Sequence, residues 1–152
     1  MSELYADEVL TPEQLQAVGH VAIESCNLEI LLDGMFGGLL NNPFALSSKL
    51  AEVHALVTSQ LRQDHDALDK FNSIYHAGKS AVCKRNIVMH NRPHKETTAA
   101  NRRPRAAFVD GRSLNDMVLA DEVREIALSL ARYQLELSRF FLLHGHKLRA
   151  SP

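Results

Sequence analysis

The segment VREIALSLARYQLELSRFFLLH, residues 123–144, decides the fold class. Its larger side chains recur at alternating three- and four-residue steps, which places them along one side of an α-helix. The members of this series are Val123, Ile126, Leu130, Tyr133, Leu137, Phe140 and His144. Acidic residues gather at its start and basic residues at its end, as the helix dipole favours. We therefore predict a long amphipathic helix that buries its apolar side against other helices.

The same rhythm predicts two helices in the first half of the chain. Thr11 suits the N-cap of the first helix, Pro12 its first position, and Gln14 closes a capping box. The apolar seam that follows consists of Val18, Val21, Ser25, Leu28, Leu32, Met35 and Leu39. This helix is expected to run to about Leu40, and a second, shorter helix is expected over residues 46–57.

A third helix is predicted between these and the last one. Asp64 or Asp66 is suited to cap its start, and the pattern ends near His90 or Asn91. The chain has 152 residues, which corresponds to about one domain. We predict an all-α, up-and-down bundle of about four helices in a single domain, with its core between about residues 11 and 146.

Residues 91–113 separate the third predicted helix from the last. The segment is longer than most connections in a compact helical domain, which favours a functional or mobile loop. Its basic residues are Arg92, His94, Lys95, Arg102, Arg103, Arg105 and Arg112. A local basic patch of this kind can bind a polyanion, so we predict that Arg92, Arg102, Arg103 and Arg105 contact RNA. The alternative is a solvated basic loop, and residues 106–111 carry a weak signal for a brief strand.

The composition bounds where the protein acts. The net charge is −1, so the chain as a whole has no field that attracts nucleic acid. The acidic start of the sequence differs from a secretory signal, and no uncharged apolar run approaches the roughly 18 residues that a membrane span needs. Cys26 and Cys83 have no paired spacing. We expect a cytoplasmic protein with no membrane contact, in which both thiols are buried and reduced.

The stretch RNIVMH, residues 85–90, carries the chemistry. Arg85 falls within the packing seam of the third helix, where a cation is costly unless it is paired or meets an anion. His90 lies five residues on, about 140° round the helix unless the last turn distorts. Pro93 favours such a distortion, because it disfavours helix at Arg92. Together the guanidinium and the imidazole could bind a phosphate and move a proton.

Cleavage of RNA through its own 2′-hydroxyl needs a base, an acid and stabilisation of charge on the phosphoryl oxygens. A histidine can exchange the proton, and the rigid fork of an arginine fits phosphate oxygens. The sequence lacks Glu-x-x-His and His-Glu-x-x-His, the patterns typical of helical metal sites. We therefore predict chemistry that uses neither a metal nor a cofactor.

The stretch resembles the signature of the HEPN domains, which are small helical bundles. In that family an arginine, usually followed by a polar residue, precedes a histidine by a few positions near the end of a long helix. Arg85, Asn86 and His90 match this signature, and the likeness in helix order covers about residues 11–144. It implies a metal-independent endoribonuclease or RNA-binding protein of the toxin or defence type, with Arg85, Asn86 and His90 as catalytic residues.

The resemblance also implies an acidic or polar residue that faces the motif from another helix. Glu24 is the candidate because it flanks the seam of the first helix, and Glu29 is the fallback; a solvated glutamate is the alternative for both. One chain supplies one motif histidine, so a two-fold homodimer would bring two to one cleft, as members of the family commonly do. An antitoxin-type protein is a further expected partner.

Two other functions fit the same residues. In the first, the protein is a non-catalytic helical interaction module, and Arg85 and His90 pair with an acid such as Glu24. In the second, the same groups bind a nucleotide without turnover. The fold cannot choose between these and RNA cleavage, because function depends on the site.

Overall fold

Four long helices dominate the computed structural model, which describes residues 9–41, 45–98, 101–110 and 116–149. Their bounds are α1 Pro12–Phe36, α2 Leu46–Gln60, α3 His65–His90 and α4 Val123–His144. A short 3₁₀ turn, Gly37–Leu39, extends α1. The predicted helical bundle of four helices is thereby confirmed, and each helix lies where its apolar periodicity placed it.

The capping residues predicted from the sequence form the expected bonds. The Gln14 amide donates to Thr11 Oγ1 at 3.2 Å, and the Thr11 amide donates to Gln14 Oε1 at 2.9 Å, which completes the capping box of α1. At the start of α3, Asp64 is the cap, since its carboxylate accepts from the Ala67 amide at 3.2 Å. These bonds satisfy amide groups that the first turn of a helix leaves unpaired.

The four helices do not alternate strictly up and down along the chain, as the predicted up-and-down bundle would require. Three contacts follow the same order along the two segments: Gln14 to Asp121, in the 3₁₀ turn directly before α4, Glu24 to Gln134, and Phe36 to Phe141. Helices α1 and α4 therefore run parallel, side by side. Helix α3 runs antiparallel to α4, since Phe71 packs on Phe140 while Gly78, further along α3, meets Tyr133, which lies earlier in α4.

One hydrophobic core joins all four helices and part of the sheet. Its largest fully buried side chains are Phe36, Phe71, Phe140, Leu28, Leu32, Leu130 and Leu137. Leu10 and Leu148 also belong to it, so the core spans nearly the whole described chain. No helix in the described segments combines the length and the apolar character needed to cross a bilayer.

The segment predicted as a long basic loop is mostly an antiparallel sheet, so that prediction is wrong. Strand β1 is Pro93–Thr98, β2 is Asn101–Val109 and β3 is Met117–Leu119, in the order β1-β2-β3. Phe108 pairs with Pro93 on one side and with Val118 on the other. Ala107, Phe108 and Val118 are at most 2% exposed, so this end of the sheet is anchored in the core.

The prediction of buried thiols is also wrong. Cys26 and Cys83 are both exposed. Each directly follows a buried residue, Ser25 and Val82, and one step along a helix turns a side chain by about 100°. Both thiols therefore lie outside the seam that faces the core.

Tyr133 crosses the packed interface between α3 and α4. A Cβ added to Gly78 would lie 2.5 Å from the Tyr133 ring, so glycine is what allows this close approach. The Tyr133 hydroxyl is buried and has no hydrogen-bond partner among the residues that the structure describes. Burial raises the pKa of this hydroxyl above its ordinary value of 10.0, with a smaller contribution from Tyr75.

Replacement of Tyr133 by phenylalanine should stabilise the fold. An unpaired buried hydroxyl costs about 1–3 kcal/mol, so we expect the free energy of unfolding at pH 7 to rise by about 1 kcal/mol. The parent holds the Tyr133 proton when folded but loses it when unfolded above pH 10, so its stability falls there and the advantage of the variant should grow. Urea denaturation at pH 7 and pH 10.5 measures both effects. Equal stability of Tyr133→Phe and parent would contradict the unpaired state of the hydroxyl.

Candidate functional site

Arg85 is bound inside the helical bundle. The side chain is half-buried; its Nε donates to Ser25 Oγ on α1 at 3.0 Å, and its Nη1 donates to Asn86 Oδ1 at 2.8 Å. Ser25 is only 3% exposed and donates its own hydrogen to the Val21 carbonyl at 2.6 Å. The cation on the packing side of α3 is therefore satisfied by neutral oxygen acceptors.

Asn86 extends this network to a third helix. Its Nδ2 donates to Ser47 Oγ on α2 at 3.1 Å, while its Oδ1 accepts from Arg85. Ser25, Arg85, Asn86 and Ser47 thus form one chain of side-chain hydrogen bonds across α1, α3 and α2. Such a chain fixes the rotation of α3 about its axis relative to its neighbours.

His90 lies on a different side of α3 from Arg85. The helix continues to His90 without interruption, and only at Asn91 does the backbone become extended, with φ −125° and ψ 150°. The Asn91 side chain donates to the Ile87 carbonyl at 2.8 Å and so caps this end. Because the last turn is regular, the separation of about 140° between Arg85 and His90 stands. His90 is exposed.

A groove of about 1080 Å³ runs along the outer side of the last turns of α3. Its walls are Ser80, Cys83, Lys84, Asn86, Ile87, His90 and Asn91 of α3, with Asp110, Asp116, Met117 and Val118 from the ends of β2 and β3. The Asp110 amide donates to the Asp116 carbonyl at 2.9 Å, which brings the two carboxylate-bearing residues together at one wall. Asn86 and His90 of the motif line this groove, whereas Arg85 does not.

Glu24 does not face the motif as the sequence suggested. Its carboxylate accepts from Gln134 Nε2 of α4 at 2.7 Å, and its backbone carbonyl accepts from the same nitrogen at 3.2 Å. Both it and Glu29 lie in the described part of the chain, and neither is hydrogen-bonded to Arg85. Ser25, one residue on, takes that position instead.

The four arginines predicted to bind RNA all belong to the segment that follows α3. Arg92 is exposed and directly precedes β1, and Arg105 is exposed on β2. Arg102 and Arg103 belong to β2 by their backbone, while their side chains lie outside the described part. Arg112 lies outside the described residues altogether. Arg92 is therefore close in sequence to the end of α3 that holds His90, whereas Arg102, Arg103 and Arg105 lie further along the hairpin.

Sequence reasoning missed Ser25 and Ser47 as partners of the motif. Ser25 had a signal, since it is the one hydroxyl in the apolar seam of α1, and a buried hydroxyl needs a partner. Ser47 lies on the exposed side of α2 and had none. The carboxylates of Asp110 and Asp116 were also missed, because they reach the groove only through the folding of the sheet.

No protein-family model, curated protein sequence or solved structure matches this chain. Within the described segments, no three His, Cys, Asp or Glu side chains are grouped closely enough to hold a metal ion. The assignment of function therefore depends on the groove, on the network around Arg85 and on the hairpin.

Replacement of Arg85 by alanine should destabilise the protein. The variant loses two hydrogen bonds from a charged group and leaves Ser25 Oγ and Asn86 Oδ1 without their donor, so we expect a loss of about 2–3 kcal/mol in the free energy of unfolding. Lys84→Ala is the matched control, because Lys84 is adjacent in sequence but exposed, and it should change stability by less than about 0.5 kcal/mol. Urea denaturation measures both; equal losses would show that Arg85 is not a structural contact.

Proposed function

We propose that this chain is a HEPN-like protein that binds single-stranded RNA and cleaves it without a metal, as a toxin or defence factor in the cytoplasm. One observation carries the proposal: the exposed imidazole of His90 opens into a groove with the Asn86 and Asn91 amides and the Lys84 ammonium, at the base of a basic hairpin. Phosphate oxygens accept hydrogen bonds from donors of these kinds, and the imidazole beside them is a group that can transfer a proton.

The groove offers two kinds of proton-transfer group within one subunit. His90 supplies an imidazole, and Asp110 and Asp116 supply carboxylates from the facing wall. In cleavage by the RNA 2′-hydroxyl, one group takes the hydroxyl proton as the P–O bond to the 2′-oxygen forms. The other gives a proton to the 5′-oxygen as its bond to phosphorus breaks. The proposal therefore does not depend on a second histidine from a dimer partner.

Arg85 has a positioning role in this scheme. Its guanidinium is committed to Ser25 and Asn86, so it holds the Asn86 amide at the edge of the groove rather than touching phosphate itself. Lys84, which is exposed and lines the groove, is the cation that meets a phosphoryl oxygen. The role of the motif arginine thus differs from the one that the resemblance implied.

The hairpin supplies the attraction that the groove lacks. Lys84 is the one lysine or arginine among the described residues that line the groove, so most of the affinity for phosphate must come from basic residues outside it. Arg92 and Arg105 are exposed on the segment that starts where His90 ends, and Arg102 and Arg103 belong to the same strand as Arg105. A strand of RNA held along β2 would thereby be led into the groove.

A second candidate function is a non-catalytic interaction module whose partner is an antitoxin-type protein. The observation in its favour is that Arg85, Asn86, Ser25 and Ser47 satisfy one another, as a purely structural network would. Under this alternative His90 is one exposed surface residue among several. The two functions differ in what loss of the imidazole does to RNA.

Replacement of His90 by alanine separates these functions. If His90 is the acid or base, the cleavage rate of single-stranded RNA should fall about 10²–10⁴-fold, with RNA affinity nearly unchanged. His76→Ala is the control, since His76 is also exposed on α3 but does not line the groove. Cleavage is followed on labelled RNA in the presence of a chelator. Equal activity of both variants, or no cleavage by the parent, would leave the interaction module as the function.

Replacement of Arg102, Arg103 and Arg105 together by glutamine should weaken RNA binding. The plot of log affinity against log salt concentration has a negative slope, and each lost phosphate contact should reduce the magnitude of this slope by about 0.7 for a single strand. The control replaces Arg62, Lys70 and Lys79, three exposed cations on or before α3, with the same change of net charge. Fluorescence anisotropy over a range of salt concentrations gives both affinity and slope. Similar losses in the two triple variants would mean that the hairpin has no special part in binding.

A further inference from the structure

The outer sides of α1 and α4 form an apolar face that no other part of the described chain covers. Eight large hydrophobic residues of the described chain are exposed, and five of them belong to two stripes. The stripe on α1 contains Ile23 and Ile30, at 57% and 69% exposure, and that on α4 contains Leu128, Leu135 and Leu142, at 47%, 50% and 83%. Within each stripe the spacing is seven residues, which returns to nearly the same side of a helix.

The two stripes belong to one surface. Helices α1 and α4 run parallel in contact, and Leu128 and Ala131 of α4 line the same shallow groove as Gln16 and Glu24 of α1. Gln16 precedes Ile23 by seven residues, so the isoleucine stripe borders this groove from the other side. The groove is also lined by the charged residues Glu13, Asp121 and Arg124, so the apolar surface consists of two neighbouring stripes. Exposed apolar residues grouped in this way mark an interaction site in proteins.

The stripes are built so that a second copy of the same chain fits them. Along α4 large and small residues alternate as Leu128, Ala131, Leu135, Ser138 and Leu142. When an antiparallel copy is placed so that Leu135 faces its Ser138, Leu142 faces its Ala131, and each of these two leucines meets a small residue. Leu128 then faces Gly145 of the copy, directly after α4. The α1 stripe is symmetric in sequence about the midpoint between Cys26 and Asn27. Ile23 and Ile30 lie at equal distances from this midpoint, and so do Gly19 and Gly34.

A single two-fold axis can relate α1 to its copy and α4 to its copy. In the register given above, the pairing of the two α4 helices is centred between Glu136 and Leu137, and the α1 stripe is centred between Cys26 and Asn27. The bond of 2.7 Å between Glu24 and Gln134 places these centres within about one turn of each other along the bundle. Self-complementarity about a common centre is what an isologous homodimer interface requires.

Size, charge and backbone shape agree with this occupant. A helix of 22 residues is about 33 Å long, and two helices packed side by side are roughly 20 Å wide. The α1–α4 face therefore has an area of roughly 600 Å². This is near the roughly 800 Å² that each partner contributes to a standard interface. None of the stripe residues is charged. Apart from the nearby backbone of α1 itself, no described atom lies within 4 Å of a Cβ added to Gly19 or Gly34, so their lack of a side chain leaves room for another backbone.

We propose that the protein forms a homodimer through the α1–α4 face, with the two copies of α4 antiparallel and the two copies of α1 antiparallel. This interface does not include the Arg85–His90 motif, which lies on α3. It therefore replaces the expectation that a dimer would pair two motif histidines. It does not depend on the proposed RNA activity.

The first test is the oligomeric state of the full chain by sedimentation equilibrium at micromolar concentration. The parent should have twice the chain mass of 17.0 kDa, and added salt should not dissociate it, because the stripes are uncharged. Leu135→Glu should raise the dimer dissociation constant roughly 30-fold or more. Leu143→Glu is the matched control, since Leu143 is 58% exposed but lies on another side of α4, and it should leave the dimer intact.

The second test uses the two natural thiols and locates the two-fold axis on α1. Cys26 lies at the centre of the α1 stripe and is exposed, so two copies of Cys26 should lie close together across the axis. A short bismaleimide should join two chains of the parent and of Cys83→Ser, but not of Cys26→Ser. A parent that sediments as a monomer, a dimer unaffected by Leu135→Glu, or linkage through Cys83 would each overturn the proposal. Circular dichroism of every variant shows whether it is folded.

Discussion

The hydrogen bond from Arg85 to Ser25 is the contact on which the candidate site depends. A guanidinium on the packing side of a helix is tolerated only when its donors are satisfied, and here a buried hydroxyl and the neighbouring amide satisfy them. Once Arg85 is turned toward α1, the geometry of a regular helix sends His90 to the outer side of α3. The groove that contains His90 is therefore a consequence of a bond on the opposite side of the helix.

The helices could be predicted because their signals are local. The capping box at Thr11, the cap at Asp64 and the seam of α4 each depend on residues a few positions apart, and all three are as predicted. The partner of Arg85 could not be chosen in the same way. Glu24 and Ser25 are neighbours whose side chains diverge by about 100°, and which of them faces α3 depends on whether α3 or α4 packs on that side of α1. That is tertiary information, which one sequence does not contain.

The sheet was missed for a different physical reason. A strand with one buried side shows its period of two only where apolar residues alternate with polar ones, and β1 and most of β2 are polar throughout. Only Ala107 and Phe108 are buried on β2, and Val118 on β3. The strands are held mainly by backbone hydrogen bonds between them, which leave no pattern in the side chains. The length of the segment was therefore the strongest signal available, and it favoured a loop.

The separation of the groove from the apolar face has consequences for how RNA would be held. A dimer that closed over the motif would offer one cleft with two imidazoles, and its chemistry would vanish on dissociation. A dimer through α1 and α4 leaves two grooves open, each with its own imidazole and carboxylates. Such an assembly could hold one RNA strand at two places, and the second contact would form at the high effective concentration set by the first. Loss of the dimer would then lower the affinity for long RNA while leaving the turnover of a short substrate at each groove unchanged.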